Sequence, residues 1–412
     1  MKIVNQPFQG QLGNILIDEI LKPEYEELFI FSAFAKNSGV LRMKNAFEEF
    51  RKKGGKIKAF IGIDLDGTSY EALINLFYLC DELYIIHTEN STITYHSKIY
   101  ILRSYKKSRN WFAIGSNNLT AGGLWTNYES CCTGVFEDDG IDFSSIEELL
   151  KIYEDESNKC SLKIQSEEQI EELLNNKYLK KEIQIRLQTG VKNSKENKEK
   201  SNLIKYFGTD KIKLPKIVAE KEKSEPKEKA INEIKKENKT SNQIFISSEN
   251  ERFWFEMRKS TGGSKNILDL SKEGTIQSGT ANNTIYAKDD ESKMYGGVKF
   301  FDIDPENTMI EKEITINYKG RDYYPSTIKF APDNGSWRIQ LKGDPKDGTE
   351  PLSKHGNKQE FVNKILIFEK INTNYFALSL IEDSELDVIK TQSRVWAVNG
   401  NNPNSKAYGM LL

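Results

Sequence analysis

TYHSKIYILRSYKKSRNWFAIGSNNLT, residues 94–120, holds one of only three histidines in the chain. A lysine follows that histidine by two residues, and a Gly-Ser-Asn-Asn run comes soon after. Residues 96–103 and 111–115 carry the β-branched and aromatic alternation of two strands, with the polar SYKKSRN as the loop between them. A hairpin centred near Lys107 sets Lys98 opposite Ser116 and His96 opposite Asn118. Side chains at i and i+2 share a strand face, and directly opposed residues share it as well. The expectation is that His96, Lys98, Ser116 and Asn118 stand on one side of one ribbon. That set suits phosphate chemistry. An imidazole can attack phosphorus. An ammonium, a hydroxyl and a carboxamide can donate to the charge that grows on phosphoryl oxygens. Gly115 offers a close backbone approach to the phosphate. The competing reading is an ordinary hairpin with a surface His and Lys.

Outward from this window, strands and helices alternate. ELFIFSAFA (27–35), KIKAFIGID (56–64) and ELYIIHT (82–88) read as buried strands. SGVLRMKNAFEEFRKKGG (38–55) and SYEALINLFYL (69–79) have helical spacing, and Gly54-Gly55 is a natural stop. SSIEELLKIYEDE and EEQIEELLNNKYLKKEIQIRLQ follow as amphipathic helices. The alternation predicts an α/β layered domain over 1–177. Residues 191–240 hold 15 lysines against 9 acidic residues with no clear period. Residues 178–243 therefore read as a helical, basic linker, solvated or touching a DNA backbone. From 244 to 412 the texture is β-rich: IFIS, RFWFEMR, TIYA, GVKFFDI, EITINY, STIKFA, SWRIQL, KILIFEKI and YFALSLI, separated by turn residues such as Pro332-Asp333-Asn334-Gly335. Short strands at this spacing predict a barrel or sandwich.

Composition narrows the function classes. The chain has 412 residues, 37% hydrophobic and 11% aromatic, enough for two cores. No apolar run is long enough to predict a membrane span, and the first residues lack the apolar core of a secretion signal. Cys80, Cys131, Cys132 and Cys160 show no paired or zinc-type spacing, which fits reduced thiols in a cytoplasmic protein. His87, His96 and His355 form no ligand-spaced set, so neither metal nor cofactor is expected. A net charge of −2 confines any nucleic-acid contact to local patches.

His96-Ser97-Lys98 followed by Gly115-Ser116-Asn117-Asn118 resembles the H-x-K … G-S-x-N motif of the phospholipase D superfamily. The resemblance implies metal-independent phosphodiester cleavage through a phosphohistidine. Arg103 stands where the usual aspartate follows the lysine, and the sequence in this respect resembles the restriction-endonuclease branch, of BfiI and NgoFVII type. In that branch a later glutamate supports the histidine. By resemblance that residue is Glu129, orienting His96 as a carboxylate orients the imidazole of a triad. The motif occurs once, and a second histidine is wanted to protonate the leaving group. A homodimer through the nuclease domain, with two His96 residues facing across a two-fold axis, supplies it.

The carboxy-terminal part resembles the B3-like DNA-binding pseudobarrel of those endonucleases, which grips the major groove with two arms. By resemblance the arms fall at 253–270 and 328–341. Arg reads guanine and Asn or Gln reads adenine, while Lys and Ser more often hold phosphates. The candidate contacts are Arg258, Lys259, Ser260, Lys265, Asn334, Ser336, Trp337, Arg338 and Gln340. The sequence thus predicts an α/β phospholipase D-like nuclease domain plus a mainly β B3-like pseudobarrel. It predicts a type II-like restriction endonuclease acting on double-stranded DNA, accompanied by a cognate methyltransferase. The alternatives are a catalytically inactive sequence-specific DNA-binding protein, the nuclease subunit of an ATP-dependent complex with a helicase or translocase, and a phospholipid-processing enzyme. The single motif and the missing membrane-seeking segment count against the last.

Overall fold

A computed structural model describes residues 1–106, 109–137, 141–155, 157–188, 251–258, 265–399 and 405–411. The amino-terminal part builds one eight-stranded sheet from β1 (Lys2–Gln6), β2 (Glu27–Ser32), β3 (Lys56–Gly62), β4 (Glu82–Ile86), β5 (Lys98–Arg103), β6 (Arg109–Gly115), β7 (Glu129–Glu137) and β8 (Ser161–Ile164). Its strand order is β1-β7-β6-β5-β2-β3-β4-β8. β2, β3 and β4 are parallel, and β5 runs antiparallel to β2. The carboxyl ends of the parallel strands and the start of β5 therefore share one sheet edge. Helices α1 (Leu12–Ile20), α2 (Asn37–Lys52) and α3 (Tyr70–Leu79) cover one face. α4 (Ile141–Glu154) lies over part of the other, where Leu150 packs with Phe29, Phe31, Phe60 and Tyr84. The parallel strands are apolar on both faces because both faces are covered.

The register of the central hairpin differs from the expected one by a single residue. Ile99 pairs with Ile114, Tyr100 with Ala113 and Leu102 with Trp111. Tyr100, Leu102, Trp111 and Ala113 then all enter the same core. A one-residue slip of β5 would turn Tyr100 and Leu102 to the opposite face, so core burial fixes the pairing. His96 precedes β5, and Ser116 and Asn118 follow β6. The four polar groups are thus not one ribbon face; they leave the ends of neighbouring strands.

Residues 178–188, the first of the expected linker, are packed rather than solvated. α5 (Glu167–Asn175) ends in a turn with Lys177 at φ 67°, and a further helix covers 182–188. Ile183 and Leu187 pack with Trp254, Ile365, Ile367 and Ile381. The rest of that segment and IFIS lie outside the described residues.

The carboxy-terminal part forms a twelve-stranded sheet. Its strands are β9 (Arg252–Met257), β10 (Ile267–Leu270), β11 (Glu273–Gly279), β12 (Lys293–Tyr295), β13 (Glu311–Tyr318), β14 (Arg321–Ala331), β15 (Ser336–Gln340), β16 (Asp344–Pro345), β17 (Lys364–Lys370), β18 (Tyr375–Glu382), β19 (Ser393–Asn399) and β20 (Ala407–Leu411). Leu268 on one edge strand and Met294 on the other belong to the same core cluster, so the sheet curls round it. Two expected strands are not strands. GVKFFDI forms a 3-10 turn at Gly297–Phe301, in which the adjacent Phe300 and Phe301 both enter the core. Successive residues of a strand point to opposite faces, so a turn serves that pair better. TIYA contributes only an isolated bridge, Ala287 to Met294.

The β unit docks on α2 and α3. The β13–β14 turn abuts α3 so closely that a Cβ at Gly320 would lie 2.7 Å from both Ile74 and Tyr78. Gly320 has φ +76°, so the turn favours glycine on both counts. Lys44 pairs with Asp322 at 2.6 Å, and Arg321 pairs with Glu167 at 2.7 Å. Between them the carboxamides of buried Asn75 and Asn317 bond reciprocally at 3.4 Å, and Asn75 also donates to Asn37 at 2.9 Å. Removing one partner leaves the buried Oδ1 of the other without its carboxamide donor. Asn75→Ala and Asn317→Ala are each expected to lower unfolding free energy by about 1–3 kcal/mol, and the double variant by less than their sum. A urea-denaturation double-mutant cycle measures this, and strict additivity would show the contact to be absent.

Candidate active site

The shared sheet edge gathers the motif. The segment after β2 is stitched to its neighbours. Ala33 N–H donates to the Ser97 carbonyl at 2.8 Å, Phe34 N–H to Asn118 Oδ1 at 3.2 Å, and Lys36 N–H to the Leu119 carbonyl at 3.1 Å. The Ser32 hydroxyl donates to the Phe34 carbonyl at 2.8 Å and accepts from Leu119 N–H at 2.9 Å. FSAFA and the Gly-Ser-Asn-Asn run are therefore one structural element. A Cβ at Gly39 would meet Thr120 backbone at 2.6 Å, which shows how close the two segments lie.

His96 is exposed, whereas Lys98 is only 6% exposed. The Lys98 Nζ donates to the His96 carbonyl and lies 2.8 Å from His96 Nδ1. An ammonium only donates, so with Lys98 charged Nδ1 accepts and the neutral ring carries its proton on Nε2. Burial holds the Lys98 pKa below the ordinary lysine value, and the Glu129 carboxylate opposes that shift. Phe34 meets the His96 ring edge-on at 5.8 Å, with Lys98 Nζ 6.0 Å from its centroid.

Ser116 and Glu129 form the other half of the edge. The Ser116 hydroxyl donates to Glu129 and accepts from Ser130 N–H at 3.1 Å. Asn127 donates to the other Glu129 oxygen at 3.2 Å. Glu129 is therefore engaged by Ser116 and Asn127, and His96 Nδ1 by Lys98. Glu129 sits at the first position of β7, opposite Gln6, which directs its carboxylate along the edge toward Ser116.

Two local readings are refined. Gly115 has a packing duty of its own: a Cβ there would lie 2.3 Å from the Ser130 carbonyl oxygen, so its smallness serves the packing of β6 on β7. Arg103 ends β5, about 17 Å of extended chain from Lys98. It pairs with Glu147 of α4 at 3.3 Å and stacks on Tyr105. Arg103 is a largely buried ion-pair residue at the far end of the strand.

Phe34, of the FSAFA strand, and the Asp64–His87 pair add contacts whose roles the sequence did not indicate. Phe34 is the ring against His96. Asp64 binds His87 Nδ1 with one oxygen at 2.6 Å and accepts from Tyr95 N–H with the other at 2.9 Å. That carboxylate fixes the residue next to His96. Among the described residues no group of three or more His, Cys, Asp or Glu side chains could hold a metal ion, and no helix is long and apolar enough to cross a membrane.

The expected DNA contacts divide. Ser336, Arg338 and Gln340 share one face of β15, and Lys329 of β14 stands beside Arg338. Arg338 and Lys406 both pair with Asp269, at 3.0 and 3.3 Å. Lys265 precedes β10, and Asn334 belongs to the turn Pro332–Asn334 before β15. Arg258 lies at the end of β9, where it forks onto the buried Glu256 carboxylate. Lys259 and Ser260 lie outside the described residues. Trp337 is not a contact. It alternates inward from Ser336 and Arg338, is fully buried, and donates its indole N–H to the Pro305 carbonyl at 3.1 Å. Trp337→Ala is expected to cost about 3–5 kcal/mol of stability by calorimetry or denaturation, the loss typical of a core tryptophan. A contact residue on the surface would cost little.

No family model matches the chain, and no curated protein matches its sequence. Solved structures similar to part of it include the phospholipase D family member Nuc from Salmonella typhimurium, at 17% identity, covering 40% of this chain and 97% of that one with a TM-score of 0.28. Yeast tyrosyl-DNA phosphodiesterase is similar at 15% identity over 40% of this chain, with a TM-score of 0.26. Polyphosphate kinase from Porphyromonas gingivalis is similar at 12% identity over 40% of this chain, with a TM-score of 0.27. The chain spans 37% of the yeast enzyme and 24% of the kinase.

Proposed function

We propose that the chain is a phospholipase D-type phosphodiesterase acting on DNA, a type II-like restriction endonuclease whose β unit, a B3-like domain, reads the sequence. The observation that carries this reading is the buried Lys98 ammonium held against the exposed His96 ring, with Ser116, Asn118 and Glu129 on the same sheet edge. A phosphodiester placed there meets a nucleophile, a cation and a hydroxyl together.

The proposed reaction needs no metal. His96 Nε2 attacks phosphorus, the N–P bond forms, and the bond to the 3′ oxygen breaks. His96 of the partner subunit gives its proton to that oxygen. Water then attacks phosphorus while the now neutral His96 of the partner subunit takes its proton, the N–P bond breaks, and a 5′-phosphate leaves. Attack through Nε2 requires the ring proton on Nδ1, which exchange of the exposed ring with solvent supplies once Lys98 no longer donates to Nδ1. Glu129 is the proposed acceptor of that proton when the phosphate draws Lys98 away. The homodimer draws support from an apolar row left uncovered beside the site. Ile3, Cys132 and Ile114 are aligned across β1, β7 and β6, and Ile3 and Ile114 are 67% and 47% exposed. Ser336, Arg338, Gln340 and Lys329 are the proposed DNA-facing side chains of β15 and β14. A cognate methyltransferase and a helicase or translocase subunit belong to the same proposal. An inactive DNA-binding protein is the rival, favoured by the His96 tautomer that Lys98 imposes.

Plasmid digestion in EDTA decides between them. Wild type is expected to give discrete fragments and His96→Ala none; cleavage surviving in His96→Ala would overturn the mechanism. The pH profile tests Lys98. The rate requires the charged lysine, so it falls as pH rises through the Lys98 pKa, which lies below the ordinary lysine value. The alkaline limb of kcat/KM is expected below that value, and Lys98→Arg, whose guanidinium stays charged, is expected to move it upward even at a reduced rate.

A further inference from the structure

The turn between β3 and α3 holds a leucine in solvent in a backbone conformation that leucine disfavours. Leu65 has φ 55° and ψ 29°, and Asp66 has φ 55°. Two consecutive left-handed residues without glycine are costly, because Cβ crowds the following carbonyl. Asp tolerates the region through its short polar side chain, whereas a bulky leucine there is an outlier. The Leu65 side chain is 77% exposed, so no packing compensates for its position. Strain of this kind persists only where the surroundings over-determine it, and here they do. Asp64 is fixed by His87 and Tyr95. The Asp66 carbonyl accepts from Lys36 Nζ, and its carboxylate pairs with Lys180, both at 2.7 Å. Gly67 is pressed on the Phe34 ring, which would lie 1.9 Å from a Cβ there.

The same contacts place the turn at the catalytic edge. Asp64 holds the residue before His96, and Gly67 and His96 touch one ring, Phe34. Leu65 is thus a rigid apolar projection beside the position proposed for the phosphodiester. A strand whose phosphate sits there carries its neighbouring base past this rim. Apolar side chains inserted at base steps unstack them, and a backbone already held in place presents the side chain without the entropic cost of ordering the turn.

We propose that Leu65 is a wedge that packs against and unstacks the nucleobase flanking the phosphodiester at His96; the proposal rests on the DNA phosphodiesterase reading. The test uses full-length His96→Ala, which keeps DNA intact, with and without Leu65→Asn, on a duplex carrying 2-aminopurine at every fifth position or so. Asn populates the left-handed region readily, so the turn keeps its shape while the apolar tip is lost. Leu65→Met keeps an apolar tip. Saturating His96→Ala is expected to raise 2-aminopurine emission severalfold. Leu65→Asn is expected to remove at least half of that rise and weaken binding by about tenfold by anisotropy, and Leu65→Met to retain both. An undiminished rise with Leu65→Asn, no rise at saturation, or no binding at all would overturn the wedge. Hydrolysis of bis(4-nitrophenyl) phosphate by wild type in EDTA judges the catalytic reading separately. No hydrolysis beside a Leu65-dependent rise sinks the catalysis and keeps the wedge; hydrolysis without such a rise does the reverse.

Discussion

Everything at the sheet edge that carries the motif depends on the register of β5 between β2 and β6. Lys98 lies opposite Ser32 on one side, and the next residue, Ile99, opposite Ile114 on the other. That alignment is set by what lies further along the strand, where Tyr100 and Leu102 must enter the core beside Ala113 and Trp111. Shifting the strand by one residue would expose those side chains and turn Lys98 to the other face. Burial of apolar area some residues away therefore holds a buried ammonium against an exposed imidazole. The lysine is desolvated by the same packing, which is why its pKa lies low.

The second unit is fastened to this arrangement. Asn317 reaches Asn75, and Asn75 reaches Asn37 at the start of α2, three residues beyond Phe34. Asp322 receives Lys44, Asn317 and Tyr375 together. The polar contacts sit inside an interface that also buries Leu41, Ile371 and Ala377. Buried carboxamides and carboxylates tolerate few geometries, so such an interface constrains the orientation of the second unit.

Legibility in the sequence followed how local the determinants were. The helices 37–52 and 70–79 and the parallel strands were readable because apolar spacing within one segment decides them. GVKFFDI misled because two adjacent phenylalanines fit a strand pattern but enter one core from a turn. Trp337 could not be separated from Ser336 and Arg338 until alternation was anchored by the partners β10 and β14. Gly115 also meets a packing need that was not legible, the closeness of β7. The FSAFA strand was legible, but the roles of Phe34, Asp64 and His87 were not, since they exist only where three chain segments meet.

The sequence by itself determined which chemical groups stand near one another along the chain: an imidazole, an ammonium two residues on, and a hydroxyl and carboxamide after the second strand. It also determined the change from alternating helix and strand to short strands, because those periods are local. Only the tertiary structure decided which nitrogen of His96 meets Lys98, that Glu129 holds Ser116, and that Leu65 stands in solvent at the rim. Those outcomes depend on pairing and packing between segments dozens of residues apart, where a shift of a single residue reverses the side of the sheet on which a group acts.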